Sequence, residues 1–201
     1  MTKKNKQNYH HGDLRGALIT ATIEMITQQG VENITMRSLS DWIGVSRTAA
    51  YRHFDNKTDL LSATAIEGFQ HFSHLLKTVR CDLSHDVHQR FKNMGQTYIQ
   101  FAVENPAYYH LMFGGVIRQK DEALRLAGNF AFDELLAMLK TLYQEQAINN
   151  HNIRLQALYI WSTMHGLASL IIDNKFDPND DLTDVMTFFS QQIQTSIQST
   201  I

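Results

Sequence analysis

Cysteine is almost missing from this chain of 201 residues, where Cys81 stands alone. A single thiol excludes an intrachain disulfide framework and suits a reducing compartment. Proline is nearly as scarce, with only Pro106 and Pro178 to interrupt a helix. Alternating β-branched segments are sparse, and no internal repeat, low-complexity tract or long linker is visible. The most apolar stretch, Leu158 to Ile172, is broken by Ser162, Thr163, His165, Gly166 and Ser169. It falls short of the roughly 20 apolar residues that a bilayer crossing needs. The opening Met1-Thr2-Lys3-Lys4 is not a charged-then-apolar leader. The expectation is a soluble, cytoplasmic protein with no membrane partner. Catalytic signatures are lacking too: there is no Gly-x-Ser-x-Gly elbow, phosphate loop, dinucleotide fingerprint or Cys-x-x-Cys. His165 has no carboxylate or nucleophile tied to it by spacing, and reads as a packed core histidine. Neither an enzyme nor a cofactor is expected.

What is present is a chain of 43% hydrophobic and 19% charged residues, the balance of an ordinary globular protein. Apolar residues recur at spacings of three and four, which predicts an all-α fold of about nine helices. Asp13 caps the first, Leu14, Ala17, Leu18, Ala21, Met25 and Ile26 form its apolar stripe, and Gly30 supplies a left-handed end. Thr35 caps a second helix over 36–43 that Gly44 stops, and Ser46 caps a third over 47–54. A turn at Asp55-Asn56 leads into a fourth from about Lys57 to Lys77, and further helices are placed near 86–104, 106–113, 119–147, 152–173 and 182–199. Gly114-Gly115, Asn149-Asn150 and Asp177-Pro178-Asn179 mark the breaks between them.

The net charge of −2 divides unevenly, into +3 over residues 1–57 and −5 over the remainder. That asymmetry points to an anion-binding N-terminal end on a mildly acidic body. Within that end, Thr35 to Phe54 pairs two short helices across Gly44-Val45-Ser46, with Leu39, Ile43, Val45, Ala50 and Phe54 inward. This is the construction of a helix-turn-helix spanning about 34–54, in which one helix braces another for the major groove. The outer side of the second helix offers Arg47, Thr48, Tyr51 and Arg52 to base edges or phosphates, and its N-terminal N–H groups to the same partner. Spacing alone leaves open a plain helical hairpin with a polar face. Lys3, Lys4 and Lys6 read equally as a basic arm reaching DNA or as a merely unstructured terminus.

Residues 8–69 resemble the DNA-binding domain of the TetR family of transcriptional regulators. The resemblance runs through Ala21, Gly30, Thr35, Met36-Arg37, Leu39, Gly44-Val45-Ser46, Tyr51, Phe54, Lys57 and Leu60-Leu61. Tyr9-His10-His11-Gly12-Asp13-Leu14-Arg15, Tyr51-Arg52-His53-Phe54, Asn105 to Gly114 and Trp161 to Leu170 are similar to one branch, which carries a C-terminal Trp-His-Gly signature. Trp42, Ile43 and Ala50 depart from the usual family pattern. The resemblance implies an N-terminal three-helix helix-turn-helix domain followed, over 80–201, by a helical bundle that binds an effector and dimerises. It implies a sequence-specific regulator, a repressor released by a small molecule, working as a homodimer on palindromic double-stranded DNA. Residue by residue it assigns Thr35 and Arg37 to phosphates; Arg47, Thr48, Ala49 and Tyr51 to the groove; and Ser46, His53 and Lys57 to the backbone. Arg52 is placed at the same surface or facing away from it.

After residue 80 large apolar side chains abound, and such stripes are usually core. The implied effector cavity is assigned to Phe101, Met112, Phe113, Trp161 and His165. The dimer face is assigned to Leu155, Leu158, Tyr159, Ser162, Leu167, Leu170 and Ile171, and to Leu182, Val185, Met186, Phe189, Ile193 and Ile197. Two alternatives stay open. One is a DNA-binding protein with a non-transcriptional role. The other is a metal-responsive regulator, since His71/His74 and His85/His88 are i, i+3 pairs with Cys81 between them; no metal site is assigned.

Overall fold

The computed structural model describes residues 13–117, 121–146, 152–177 and 179–198. Nine α-helices, one 3-10 turn and no strand are found among these residues. The helices are α1 (Leu14–Gln29), α2 (Met36–Ile43), α3 (Arg47–Tyr51), α4 (Lys57–Arg80), α5 (Val87–Glu104), α6 (Pro106–Phe113), α7 (Glu122–Glu145), α8 (Ile153–Ile172) and α9 (Leu182–Gln198). The lysines of the proposed basic arm, the residues Tyr9 to Gly12 and the break at Asn149-Asn150 lie outside the described residues.

Local chemistry explains where most helices start. Asp13, Thr35, Ser46, Asn56, Asp86 and Asp121 each accept the backbone N–H three residues on. Each bond satisfies a donor that the helix itself leaves orphaned. At Thr35 the arrangement is reciprocal, because the Ser38 hydroxyl accepts the Thr35 N–H at 2.9 Å. Pro106 stands at the first position of α6, where its missing N–H costs nothing.

Three details differ from the sequence-based expectation. α3 ends at Tyr51 rather than Phe54, because the N–H groups of His53 and Phe54 both turn back to the Ala50 carbonyl. That turn drops Phe54 into the core, where it is 5% exposed. α4 continues past Lys77 to Arg80. Gly30 has positive φ as expected, but at φ 81°, ψ 158° it is extended rather than left-handed helical, and it leads into a 3-10 turn at Val31–Asn33. Gly44, at φ 74°, ψ 33°, is the true left-handed turn of the helix-turn-helix.

Two cores share α4. The smaller gathers Leu18, Met25, Leu39, Ala50, Phe54 and Leu60 from α1 to α4. The larger begins with Leu61 and Ala65 and runs through α5 to α9. Adjacent residues on a helix point about 100° apart, so Leu60 and Leu61 serve different cores. Polar ties reinforce the larger one. Arg90, only 8% exposed, donates to the Arg80 carbonyl at 3.0 Å and to Glu145 at 3.4 Å, joining α4, α5 and α7. The Ser62 hydroxyl donates to Asp121, tying α4 to the start of α7. α8 reaches twenty residues, and by length and composition it is apolar enough to cross a membrane. In the fold it packs on α5 and α7, with Ala157, Ile160, Met164, Leu167 and Ala168 buried.

Gly30 and Gly44, two of the three positive-φ glycines among the described residues, give a graded expectation. No atom lies within 4 Å of a Cβ built at Gly44, so Gly44→Ala should cost only the backbone term, about 1–2 kcal/mol. Gly44→Asn should cost less. Gly30 occupies a region open essentially to glycine alone, where strain runs to about 1–3 kcal/mol, and its Cβ would meet the Glu32 carboxylate. Gly30→Ala should therefore cost at least as much as Gly44→Ala, as read by urea denaturation followed by circular dichroism.

Candidate functional site

The helix-turn-helix presents a clear division between faces. Ala50 is fully buried and Phe54 nearly so; they seat α3 against α1 and α2, while the Arg15 guanidinium lies 5.3 Å from the Phe54 ring centroid. On the other side Arg47, Thr48, Tyr51, Arg52 and His53 are exposed, and Ala49 is half-buried. Tyr51 keeps 49% of its surface open, an unusual exposure for a large aromatic that would gain by burial. Neither Arg47 nor Arg52 has an ion-pair partner among the described residues. The result is a cationic, aromatic surface standing on a well-packed base.

The remaining residues of the predicted interface have structural duties as well. Thr35 and Ser46 are exposed, but their hydroxyl oxygens accept the N–H groups of Ser38 and Ala49 as helix caps. Arg37 lies 3.8 Å from Asp41, one turn on, in an exposed pair. Lys57 is half-buried, and its ammonium donates to the Val31 carbonyl at 2.8 Å. It thereby anchors the start of α4 to the turn after α1, a role hidden from sequence because the 3-10 turn was not anticipated. Trp42, one of the departures from the family pattern, donates its indole N–H to Glu24 at 3.3 Å and links α2 to α1.

A second feature lies in the C-terminal bundle. A cavity of about 640 Å³ opens between α5, α8 and α9, floored by Leu76 of α4 and by Leu135 and Leu142 of α7. Of the five residues assigned to a pocket from sequence, only Trp161 lines it. Phe101 is 1% exposed and packs on Phe72, with ring centroids 4.7 Å apart. Met112 sits against Gly68, where a Cβ would come within 2.7 Å of its sulfur. Phe113 packs on Phe69, Tyr109 and His165. The cavity wall comes instead from Met94, Gly95, Tyr98, Ile160, Met164 and Phe189, among others.

Between the cavity and α6 runs a polar chain inside the aromatic core. The Tyr98 hydroxyl is 3.1 Å from that of Tyr109, which lies 2.7 Å from His165 Nδ1. Tyr98 faces the cavity from α5, Tyr109 belongs to α6 and His165 to α8. Burial pushes the Tyr109 phenol up to about 12 and raises that of Tyr98 as well, so both stay protonated donors. α6 in turn packs against α1 and α4.

The apolar residues assigned to a dimer face divide in two. Ile193 and Ile197 are buried within the chain, and Val185, Met186 and Phe189 are half-buried against the bundle. Leu167 is 2% exposed. These side chains are used inside the protomer. Leu155, Leu158, Tyr159 and Leu170 remain exposed along α8, and Leu182 and Phe188 on α9. Of the two histidine pairs, the second is engaged apart: His85 bonds Asp82 and His88 bonds Gln146. Among the described residues no group of three or more metal-ligating side chains is brought together.

Comparison with known proteins gives two family matches. Residues 18–64 match the profile described as bacterial regulatory proteins, tetR family, and residues 91–195 match the tetracyclin repressor-like C-terminal domain. The latter covers more than half of the chain. The uncharacterized HTH-type transcriptional regulator YobS of Bacillus subtilis is 20% identical over 85% of each chain. The nucleoid occlusion factor SlmA of Vibrio vulnificus is 24% identical over 90% of this chain and 95% of its own. Among solved structures, a protein of unknown function from Rhodococcus sp. RHA1 superposes with a TM-score of 0.83 at 25% identity, covering 94% of this chain and 98% of that one. The regulator FadR of Bacillus subtilis in complex with stearoyl-CoA shares the fold, with a TM-score of 0.69 at 16% identity over 88% and 95% of the two chains.

His165 provides a pH test. Burial holds its imidazole below the ordinary histidine range, so on acidification the unfolded chain takes up this proton first. Its contribution to stability is complete above about pH 6.5 and is lost as pH falls towards the folded-state value. His165→Gln should flatten that part of the stability profile, as measured by thermal unfolding at about pH 5 and pH 7.5.

Proposed function

The chain belongs to the TetR family of bacterial transcriptional regulators, and from that premise we propose that it is a repressor, acting as a two-fold dimer and released from its operator by a small molecule. The observation that carries the DNA-reading part is the exposure of Arg47, Thr48, Tyr51 and Arg52 opposite the buried Ala50 and Phe54. A short helix with its apolar side sunk in a core and its cations unpaired is shaped to enter a groove. In this reading residues 8–69 form the DNA-binding domain and 80–201 the effector and dimerisation domain, with α4 crossing between them.

Arg47, Thr48 and Ala49 meet base edges, with Ala49 or the Thr48 methyl positioned for a thymine methyl. Tyr51, Arg37 and His53 meet phosphates, together with the backbone at the caps Thr35 and Ser46. Arg52 lies at the edge of this surface. Lys57 contributes charge while holding α4 in place, so its substitution perturbs both fold and binding. A two-fold dimer sets the recognition helices about 34–36 Å apart, one helical turn of DNA. The exposed stripe of Leu155, Leu158, Tyr159 and Leu170 on α8 is the surface that a second copy covers.

The cavity is the effector site in this reading. α4 carries Leu76 at the cavity and Lys57 at the helix-turn-helix, so a shift at one end is felt at the other. The Tyr98–Tyr109 contact supplies a second route, through α6 to α1. A coupling of about 1–3 kcal/mol changes operator affinity roughly 5- to 150-fold. The structure of FadR with stearoyl-CoA is a precedent for small-molecule binding in the fold. A second reading, DNA binding without transcriptional control, draws on the likeness to the nucleoid occlusion factor SlmA.

Genome-wide mapping of bound DNA separates the two readings: clustering at promoters supports regulation, and sites scattered away from promoters support the second. On a recovered fragment, fluorescence anisotropy should show Arg47→Ala and Tyr51→Ala weakening binding by about 1–3 kcal/mol each with unchanged thermal stability. Unchanged affinity in both variants would remove the assignment of α3. Leu158→Glu in the exposed stripe should convert the dimer to a monomer in sedimentation equilibrium, and a persisting dimer would place the interface elsewhere.

A further inference from the structure

The walls of the C-terminal cavity carry very little charge. Among the described residues its only formally charged lining groups are Asp86 and Lys92, of opposite sign; His88 lies beside them. The Asp86 carboxylate is already engaged, accepting the Gln89 N–H at the start of α5. His88 Nε2 is met by the Gln146 side-chain amide at 2.9 Å. Lys92 is exposed to solvent. The rest of the polar lining is neutral, dominated by Gln96, Gln191, Gln194, Gln198, Thr187 and Ser190, most of it on α9. Deeper in, Met94, Tyr98, Ile160, Trp161 and Met164 supply an apolar and aromatic wall.

A carboxylate or phosphate entering such a site meets, among the described lining residues, only the solvent-exposed Lys92, too little to compensate the water it leaves. Glutamine amides both donate and accept hydrogen bonds, and so match a carbonyl, an ester, an amide or a hydroxyl. Gly95 points the same way by a different route. It lies within α5, where glycine weakens a helix, yet a Cβ there would find only the Met164 terminal methyl within 4 Å, at 3.9 Å. Neighbouring packing therefore does not demand glycine at this position. Its missing side chain instead enlarges a cavity whose 640 Å³ is already ligand-sized.

We infer that the effector is an uncharged amphipathic molecule, its apolar body lying against Met94, Trp161 and Met164 and its neutral polar group bonded by the α9 glutamines. The inference rests on the reading of this cavity as the effector site, and it makes the ligand uncharged, unlike an anionic acyl-CoA.

Three probes of one chain length test it on the full chain: methyl dodecanoate, dodecanoate and dodecylammonium, titrated against tryptophan fluorescence, with Trp161→Phe identifying the Trp42 background. The ester should bind about tenfold or more tightly than either ion, the size of a modest uncompensated-charge penalty. Gly95→Ala and Gly95→Leu should weaken the ester progressively while leaving thermal stability equal or higher. The inference is overturned if dodecanoate or dodecylammonium binds as well as the ester, if no probe binds, or if filling Gly95 leaves ester affinity unchanged. Anisotropy of a bound DNA fragment in the same titrations tests the other claim separately. An ester that binds without releasing DNA sinks the release reading and leaves standing only the assignment of the cavity to a neutral ligand; an ion that binds and releases DNA does the reverse.

Discussion

Everything distinctive in this fold depends on α4 being a wall of two cores at once. Leu60 closes the small core under the helix-turn-helix, and its neighbour Leu61 begins the large core of the bundle. Because packed cores resist continuous deformation, a helix shared in this way cannot tilt for one core and stay still for the other. Lys57 fixes its N-terminal end to the Val31 carbonyl, and the buried Arg90 binds its last carbonyl at Arg80. The helix-turn-helix and the cavity are thus held towards opposite ends of one clamped rod. This geometry, with the packing of α6 on α1, gives a physical basis for communication between the two halves.

The parts of this arrangement legible in the sequence are those set by local chemistry. Thr35, Gly44 and Ser46 announce the helix-turn-helix because a cap and a left-handed turn need particular side chains and little else. The helix over 153–172 and its neighbours follow from periodicity. The exposed face of α3 was likewise readable, since alternation of Ala50 and Phe54 with Arg47 and Tyr51 divides inside from outside. The cavity was not readable, because it is defined by what α5, α8 and α9 fail to fill where they meet across a hundred residues of chain. Size was the wrong guide: Phe101 and Phe113, chosen as bulky aromatics, complete the solid core, whereas Gly95 and the unbranched Met94 and Met164 border the empty space. The α9 stripe misled for a related reason. Ile193 and Ile197 look like an interface in one dimension, but the protomer itself covers them.

The aromatic centre of the bundle is not uniformly apolar, and its few polar atoms are ordered. Tyr98, Tyr109 and His165 share hydrogen bonds among rings of Phe72, Phe113 and Trp161. In a low-dielectric interior these bonds are worth keeping intact, since breaking one leaves a buried group unsatisfied. They also give the core a preferred register, which a purely hydrocarbon interior of Leu and Phe would specify less sharply.

The run of side-chain caps at Asp13, Thr35, Ser46 and Asn56 has a kinetic consequence. Each helix of the N-terminal unit is delimited by a bond spanning three residues, and its core is drawn from one short stretch of chain, whereas α5 packs on α8 across the intervening α6 and α7. Contacts close in sequence form faster than distant ones because less chain entropy is lost in closing the loop. After partial unfolding the head of the molecule therefore re-forms ahead of the bundle, and the slow step in recovering a working chain is the assembly of its C-terminal half.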